Sequence, residues 1–435
     1  MRLGTRKIRM MRTKKKSLVL WQLIVIALLV FVPLISKPPE IWEDTAGYLS
    51  FASYRPPLYP FFLWLFHEFG TYQLIAVKWA QAIINFIVLL YAGNWMCKRL
   101  ELPRTLVFLT LLLTVIFFFL HIQVSILGII SEAIAFPLFI LTFIFFIESF
   151  IKPNIKNIIL LVITCNLLIL PRDQFYYMYL VLFALIFWSF LKKLPLKKCA
   201  VITLIIFSSI FINTLIVGVY HYAINGHFGE SSAVGEVLLP PALYLATKDD
   251  AQYFTNPLEK EIFLKIENNL TKQQLNYTHV PTILKPPLQL IMSAEWYNLN
   301  FNRIKSVAIQ SIPPHVTVYT ASHIFINISK TLYLHNFKQN FKFYFWRTAS
   351  SVGGVWVFFS LLIVLCTILF RAITDKQWNP SITQLVIFTA SSIILANAAF
   401  VNLFSHFDAS YYYYSYFLYL IAASLLSKSI LQKNN

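Results

Sequence analysis

The chain has 435 residues, of which 58% are hydrophobic and only 12% charged, and its mean hydropathy is +0.66. A charged share about half that of a soluble domain leaves more apolar surface than an ordinary core can hide, which excludes a soluble globular protein. The net charge of +18 does not point to nucleic acid either: most basic residues fall in short segments between apolar runs, where they read as anchors facing anionic lipid, and there is no zinc-finger spacing or RNP-like motif.

Met1 to Lys16 is a basic tail, and an apolar run follows from Ser17 to about Ile35. A run of about 19 residues is long enough to cross a bilayer, and the positive tail keeps the N-terminus in the cytoplasm. The run is too long for a usual signal core, and Pro33, Ser36 and Lys37 offer no clear small-residue cleavage site, so it reads as a retained anchor. Further runs of spanning length are expected at 73–96, 104–121, 130–150, 157–171, 175–191, 200–220, 351–370, 381–403 and 411–427. With the first run they make about ten transmembrane helices in an all-α polytopic membrane protein. The runs on either side of Pro171-Arg172-Asp173-Gln174 are short, and together they read as a tight helical hairpin. Cys97, Cys165, Cys199 and Cys366 lie outside the long loop assigned to the far side, which argues against a disulfide framework, and they lack metal-ligand spacing.

Charge tests this topology. With ten spans and a cytoplasmic N-terminus, the inner segments are the tail, Lys98-Arg99 with Arg104, Lys152 with Lys156, Lys192-Lys193 with Lys197-Lys198, Arg371 with Lys376, and Lys428 with Lys433. Each is basic, whereas the short outer segments carry only Lys37, Arg55 and Arg172, with Lys78 near an outer end. One span more or fewer would invert half of these loops and break the pattern. The expected location is a bacterial inner membrane, with both termini cytoplasmic.

The N-terminal bundle is expected over 17–220, including an extracytoplasmic loop at 37–72, and the C-terminal spans over 351–435. Residues 221–350, between them, are more polar. A segment of that length is too long to be structureless, so a folded extracytoplasmic cap is expected. Asn256 to Leu270 has the mixed character of a helix, and Pro240-Pro241, Pro286-Pro287 and Pro313-Pro314 are expected to punctuate the loop.

Charged groups near lipid are costly and usually functional. By the topology, Glu43-Asp44, Arg55, Ser131-Glu132, Arg172-Asp173, and His406 with Asp408 all reach the outer face from five separate places in the sequence. Each has a plainer reading. Asp44 could cap a helix, Glu132 could favour a first helical turn, and Arg172 could pair with Asp173 to close the hairpin. His406 could be an interfacial histidine, and Asp408 could cap the last span. Tyr176-Tyr177 and Tyr411 to Tyr414 are expected to form an interfacial aromatic belt rather than a sugar-stacking surface.

The segment Asp44-Thr-Ala-Gly-Tyr48, followed by Arg55-Pro-Pro-Leu-Tyr59-Pro60, resembles the first outer loop of the GT-C membrane glycosyltransferases. That group includes the protein O-mannosyltransferases and the lipid A aminoarabinose transferases. Ser131-Glu132 is similar to a recurrent Ser-Glu in these families. His406-Phe-Asp408-Ala-Ser-Tyr411 is similar to a degenerate form of their last outer loop, with Ser410 where an Arg would stand. Many members carry Asp-Glu in the first loop, whereas here Glu43 precedes Asp44. The resemblance implies a GT-C-like fold and transfer of a sugar from a polyprenyl-phosphate-linked donor to an acceptor hydroxyl of a glycan, lipid or protein. It implies Asp44 and Glu132 as catalytic groups, and Glu43, Tyr48, Arg55, Tyr59, Arg172, His406 and Asp408 as substrate-binding groups. A carboxylate near the acceptor oxygen can take its proton, and a phosphate leaving group needs cations more than it needs an acid. A divalent metal between Asp44 and the donor phosphate stays open, without a full ligand set in the sequence. Two other readings are a lipid-linked sugar flippase, which would place polar groups near the bilayer midplane, and a polysaccharide polymerase or ligase relying on outer-loop residues such as Arg303 or His315.

Overall fold

The computed structural model describes residues 21–121, 127–229, 231–279, 288–374, 380–405 and 409–433. Regular structure among them is helical, apart from one isolated β-bridge between Glu40 and Gly128. In chain order the helices of the first half are α1 (Trp21–Ser36), α2 (Glu43–Leu49), α3 (Leu58–Trp64), α4 (Gln73–Arg99), α5 (Arg104–Val115), α6 (Glu132–Ile151), α7 (Ile155–Ile169), α8 (Met178–Leu191) and α9 (Leu196–Asn225). The second half continues with α10 (Ala233–Leu245), α11 (Pro257–Lys272), α12 (Leu288–Ser311), α13 (Val318–His335), α14 (Phe337–Ser351), α15 (Val355–Thr374), α16 (Ile382–Phe404) and α17 (Ala409–Lys433).

Among the described residues, seven helices are long and apolar enough to cross a membrane: α4, α6, α8 with the 3₁₀ turn before it, α9, α15, α16 and α17. The other three expected spans fall on shorter apolar helices, namely α1, α5 and α7. At 15 residues α7 is about 22 Å long, short of a hydrocarbon core of about 30 Å. The chain turns at Pro171-Arg172, and the Tyr179 hydroxyl of α8 donates to Asn166 Oδ1 of α7 at 3.5 Å. Helix α7 lies against α6 and α9, and α8 lies against α9 and α16.

Helix α6 is the centre of the bundle. Phe136, Phe139, Phe143, Phe146, Ile140, Ile144 and Ile147 are all buried on it, as expected of a helix apolar on every side. Phe118 stacks on Phe136 with ring centroids 3.9 Å apart. Pro137 lies inside α6 and cannot donate to the carbonyl of Ala133, four residues back. The side-chain amide of Asn85 on α4 donates to that carbonyl instead, at 2.7 Å, so a proline in an apolar helix is satisfied from a neighbour.

Tyr413 and Tyr414 are buried among these rings rather than set in an aromatic belt: Tyr413 lies beside Phe118, and Tyr414 beside Phe139 and Phe175. Tyr177 is buried as well. The expected belt therefore fails here, because these tyrosines face helices rather than headgroups. Helix α15 is the opposite case. It has no buried residue, and Trp356 is 86% exposed.

One end of the bundle gathers basic groups. Arg99 on α4 grips Glu148 on α6 through Nε and Nη2, at 2.8 and 2.9 Å, and Lys428 on α17 donates to the carbonyl of Leu100 at 3.0 Å. Lys78, near the other end of α4, is buried, and its ammonium donates to the carbonyls of Leu34 and Lys37 at 2.8 Å each. It fixes the end of α1.

The 221–350 segment is folded and has its own core, in which Leu243, Tyr244, Phe263, Ile266, Tyr297 and Phe343 are buried. Asn256 caps α11 by accepting from the amide of Leu258 at 3.0 Å. Pro240 and Pro241 lie inside α10 rather than in a loop, Pro313-Pro314 sit in the turn between α12 and α13, and Pro286-Pro287 lie outside the described residues. Arg347 of α14 joins this core to the bundle. It is buried, donates to the carbonyl of Ser405 and lies 4.4 Å from the ring centroid of Tyr297. Helices α10 and α13 meet backbone to backbone at Gly235, whose amide donates to Ser322 Oγ at 2.9 Å. A Cβ there would stand 2.2 Å from the Ser322 carbonyl oxygen. Gly235→Ala is therefore expected to destabilise the cap by about 1–3 kcal/mol, read as a lower melting temperature in detergent; an unchanged melt would mean that the two helices can part freely.

Candidate functional site

Three sets of links assemble the site at the end of the bundle opposite Arg99 and Glu148. First, the loop after α1 is tied to the segment before α6. The amide of Glu40 donates to the carbonyl of Leu127 at 2.9 Å, and that of Ile129 donates to Glu40 at 3.0 Å. The Thr45 hydroxyl accepts from the amide of Trp42 and donates to the carbonyl of Ile129, both at 2.9 Å. This side chain caps α2 and at the same time fixes it against the start of α6. Second, the amide of Leu58 donates to the carbonyl of Leu170 at 3.1 Å, which brings the Arg172 turn beside α3. Third, Gln81 on α4 accepts from the Tyr59 hydroxyl at 2.8 Å and donates to the carbonyl of Gly128 at 3.1 Å.

These links bring two carboxylate–arginine pairs together. Asp44 pairs with Arg55, and Glu132 pairs with Arg172. Both side chains of the second pair are 12% exposed, whereas the Asp44 side chain is 55% exposed. Tyr48 and Ser131 connect the pairs. Arg55 Nη1 donates to the Tyr48 hydroxyl at 3.4 Å, that hydroxyl and Ser131 Oγ are 3.0 Å apart, and Ser131 Oγ donates to Glu132 Oε2 at 3.2 Å. Since Ser131 spends its proton on Glu132, Tyr48 donates to Ser131. The result is a chain of donors running from the open pair to the buried carboxylate, each bond polarising the next.

Burial, and next the negative charge of Glu132, push the Tyr48 phenol up to about 12. At neutral pH Tyr48 keeps its proton and acts as a donor, not as a base. The guanidinium of Arg55 also lies over the rings of Tyr48 and Tyr54, 4.4 and 4.8 Å from their centroids. Gly47 makes room for it, since a Cβ there would meet Tyr54 Oη at 2.7 Å and Arg55 Nε at 3.0 Å. Arg172 faces the ring of Tyr411 at 5.2 Å.

Several expectations change in detail. Asp44 stands at an open rim, and Glu132 is the enclosed carboxylate. Asp44 does not cap α2: Trp42 holds that position, and Asp44 sits in the first turn. Arg172 reaches Glu132, so its ion pair does more than close the local turn; Asp173 begins the 3₁₀ turn that follows. Tyr59 is fully buried and its ring meets that of Tyr48 edge-on, with centroids 4.8 Å apart, so it supports Tyr48 from behind. Glu43 is exposed and forms no ion pair among the described residues. His406 and Asp408 lie outside the described residues. Nothing in residue spacing singles out Gln81, or the Thr45 side chain as a clamp; a buried amide between two loops leaves no spacing signal. Among the described residues, no group of three or more His, Cys, Asp or Glu side chains could hold a metal ion, and Asp44 and Glu132 each face an arginine. These residues do not make up a metal-ligand set.

An apolar cleft of about 310 Å³ opens beside this site, between α3, α4 and α6. It is lined by Leu58, Phe62, Ile84, Ile134, Pro137 and Leu138, among other apolar side chains. Comparison with protein-family models, with curated proteins and with solved structures found no match.

The two pairs should respond differently to loss of charge. Glu132→Gln leaves Arg172 buried without its counter-charge and is expected to cost about 3–5 kcal/mol. Asp44→Asn, at an exposed pair, is expected to cost under about 1 kcal/mol. Thermal unfolding in detergent checks this, and equal losses would contradict the difference in burial.

Proposed function

We propose that this chain is a membrane glycosyltransferase of the GT-C kind. It moves a sugar from a polyprenyl-phosphate-linked donor to an acceptor hydroxyl at the extracytoplasmic face. The observation that carries this reading is the joining of the Asp44–Arg55 and Glu132–Arg172 pairs through Tyr48 and Ser131, next to an apolar cleft open to lipid. The basic end of the bundle supports a cytoplasmic placement for that side and, with it, an extracytoplasmic site. On this reading α1, α5 and α7 complete ten spans of a bacterial inner-membrane protein with both termini cytoplasmic.

The donor's prenyl chain lies in the cleft along α3 and α6, which leaves its phosphate at the mouth, beside the two arginines. Its oxygens compete with Asp44 for Arg55. Once Arg55 turns to the phosphate, the Asp44 carboxylate is free at the open rim, where an acceptor can reach it. Asp44 then takes the proton of the acceptor hydroxyl as that oxygen attacks the anomeric carbon. The bond from that carbon to the phosphate oxygen breaks, and its electron pair leaves with the polyprenyl phosphate, whose added charge Arg55 and Arg172 stabilise. Attack opposite the leaving phosphate inverts the anomeric centre. Glu132 does not touch the reacting atoms in this scheme. It holds Arg172 and, through Ser131 and Tyr48, the orientation of Arg55. The acceptor is a hydroxyl of a glycan, lipid or protein.

Asp44→Asn is expected to lower transfer from a synthetic polyprenyl-phosphate sugar by about 100-fold or more while the protein stays folded, and to make the polyprenyl-linked monosaccharide accumulate in cells, as read by mass spectrometry of extracted lipids. Transfer by the purified protein in detergent separates this reading from a flippase, which needs two compartments. Undiminished transfer by the Asn variant would remove Asp44 from the chemistry.

A further inference from the structure

Helix α14 carries two unlike stripes side by side. Phe337, Phe341 and Phe345 follow one another at four-residue intervals and so share a face. Phe337 and Phe341 are 67% and 55% exposed, and their rings stack with centroids 5.9 Å apart. Such a row differs from the single apolar residues scattered over any surface. Lys338 and Lys342 run beside the rings, each one position further along the chain. Both are exposed, and neither takes part in an ion pair among the described residues. The helix has no acidic residue. Its other side faces protein, where Asn340, Phe343 and Arg347 are buried.

The neighbours of α14 fix its level. The Tyr344 hydroxyl donates to the carbonyl of Ala399 at 2.8 Å, and Arg347 donates to that of Ser405. The first acceptor lies in the last two turns of α16, and the second follows its end. Phe345 meets Phe358 and Phe359, near the start of α15, with ring centroids 5.4 and 6.2 Å apart. Helices α15 and α16 are both of spanning length, so α14 lies where the hydrocarbon begins. Since α15 has no buried residue, the ring stripe continues, through Phe345, into the bare apolar surface of a spanning helix. Rings on one stripe and cations on the next suit a helix set in the headgroup region. The rings reach the acyl boundary there, and the ammonium groups reach the phosphates.

We propose that α14 lies in the membrane interface, with Phe337 and Phe341 inserted at the acyl boundary and Lys338 and Lys342 on the phosphates of anionic phospholipids. The helix thereby rests the cap on the bilayer and keeps Arg347 against the end of α16. The proposal depends on α15 and α16 crossing the membrane, and it stands or falls separately from glycosyl transfer.

The test uses the full-length protein in lipid nanodiscs. Cys97→Ser and Cys366→Ser remove the two thiols that are not buried, and one nitroxide is attached at Phe341→Cys or, as a control, at Gln339→Cys. Gln339 is exposed on the side of α14 away from the rings. Dissolved oxygen, which concentrates in hydrocarbon, is expected to relax the label at 341 more than a polar nickel chelate does, and the label at 339 is expected to show the reverse. Adding phosphatidylglycerol to phosphatidylcholine discs is expected to raise the melting temperature of the native protein. Lys338→Glu with Lys342→Glu is expected to remove about a third of that rise or more. Lys260→Glu with Lys272→Glu, at exposed positions of α11, is expected to leave it nearly whole. Equal access of the chelate to both labels would overturn the insertion. A label at 341 that neither relaxant reaches would replace lipid with a protein partner or a second copy on this face. Equal losses for the two lysine pairs would overturn the headgroup contact. If the Lys338→Glu and Lys342→Glu protein does not fold, an undiminished rise in Lys338→Gln with Lys342→Gln would be decisive against that contact.

Discussion

The buried pair of Glu132 and Arg172 is the constraint around which this end of the bundle is organised. A lone charge at that depth would be expensive, and removing either member leaves the other stranded. The pair therefore forces the start of α6 and the turn before α8 to meet, although about forty positions separate them in sequence. Ser131 gives its proton to the same carboxylate and so aligns Tyr48, and Tyr48 in turn receives Arg55. A charge pair that contributes little net stability on average thus fixes the geometry of three other polar side chains.

This arrangement gives the two acidic groups different characters. Glu132 is enclosed, hydrogen-bonded and committed to a cation. Asp44 is open, and its partner Arg55 also rests on two tyrosine rings. An arginine that stays oriented by aromatic faces can release a carboxylate without losing its place. The open pair is thus suited to exchange partners and the closed pair to hold still.

The all-helical membrane class was legible from composition and from the spacing of apolar runs, because lipid demands long uncharged helices. The residues of the Glu132 and Asp44 cluster were legible as well, since an acid or arginine in an acid-poor, apolar chain stands out. Their pairing was not legible: the partner of Arg172 depends on how α6 packs, while Asp173 is its neighbour in sequence. Nor could hydropathy tell a tyrosine that faces headgroups from one that faces other helices, and so Tyr413 and Tyr414 were misplaced. The role of Asn85 was hidden for a similar reason, because the missing donor it replaces belongs to Pro137 on another helix. Arg347 escaped notice inside the more polar segment, where a basic residue is unremarked until the fold buries it.

The bareness of α15 bears on how the protein is handled. No side chain of that helix is buried, so acyl chains or detergent tails solvate much of its circumference. Gly353 and Gly354, both at positive φ, join it to α14 and hence to the cap. A micelle that shields this helix poorly would leave a bare hydrocarbon rod free to seek another copy, and aggregation during extraction would then begin at α15 while the end that holds Glu132 and Arg172 remained intact.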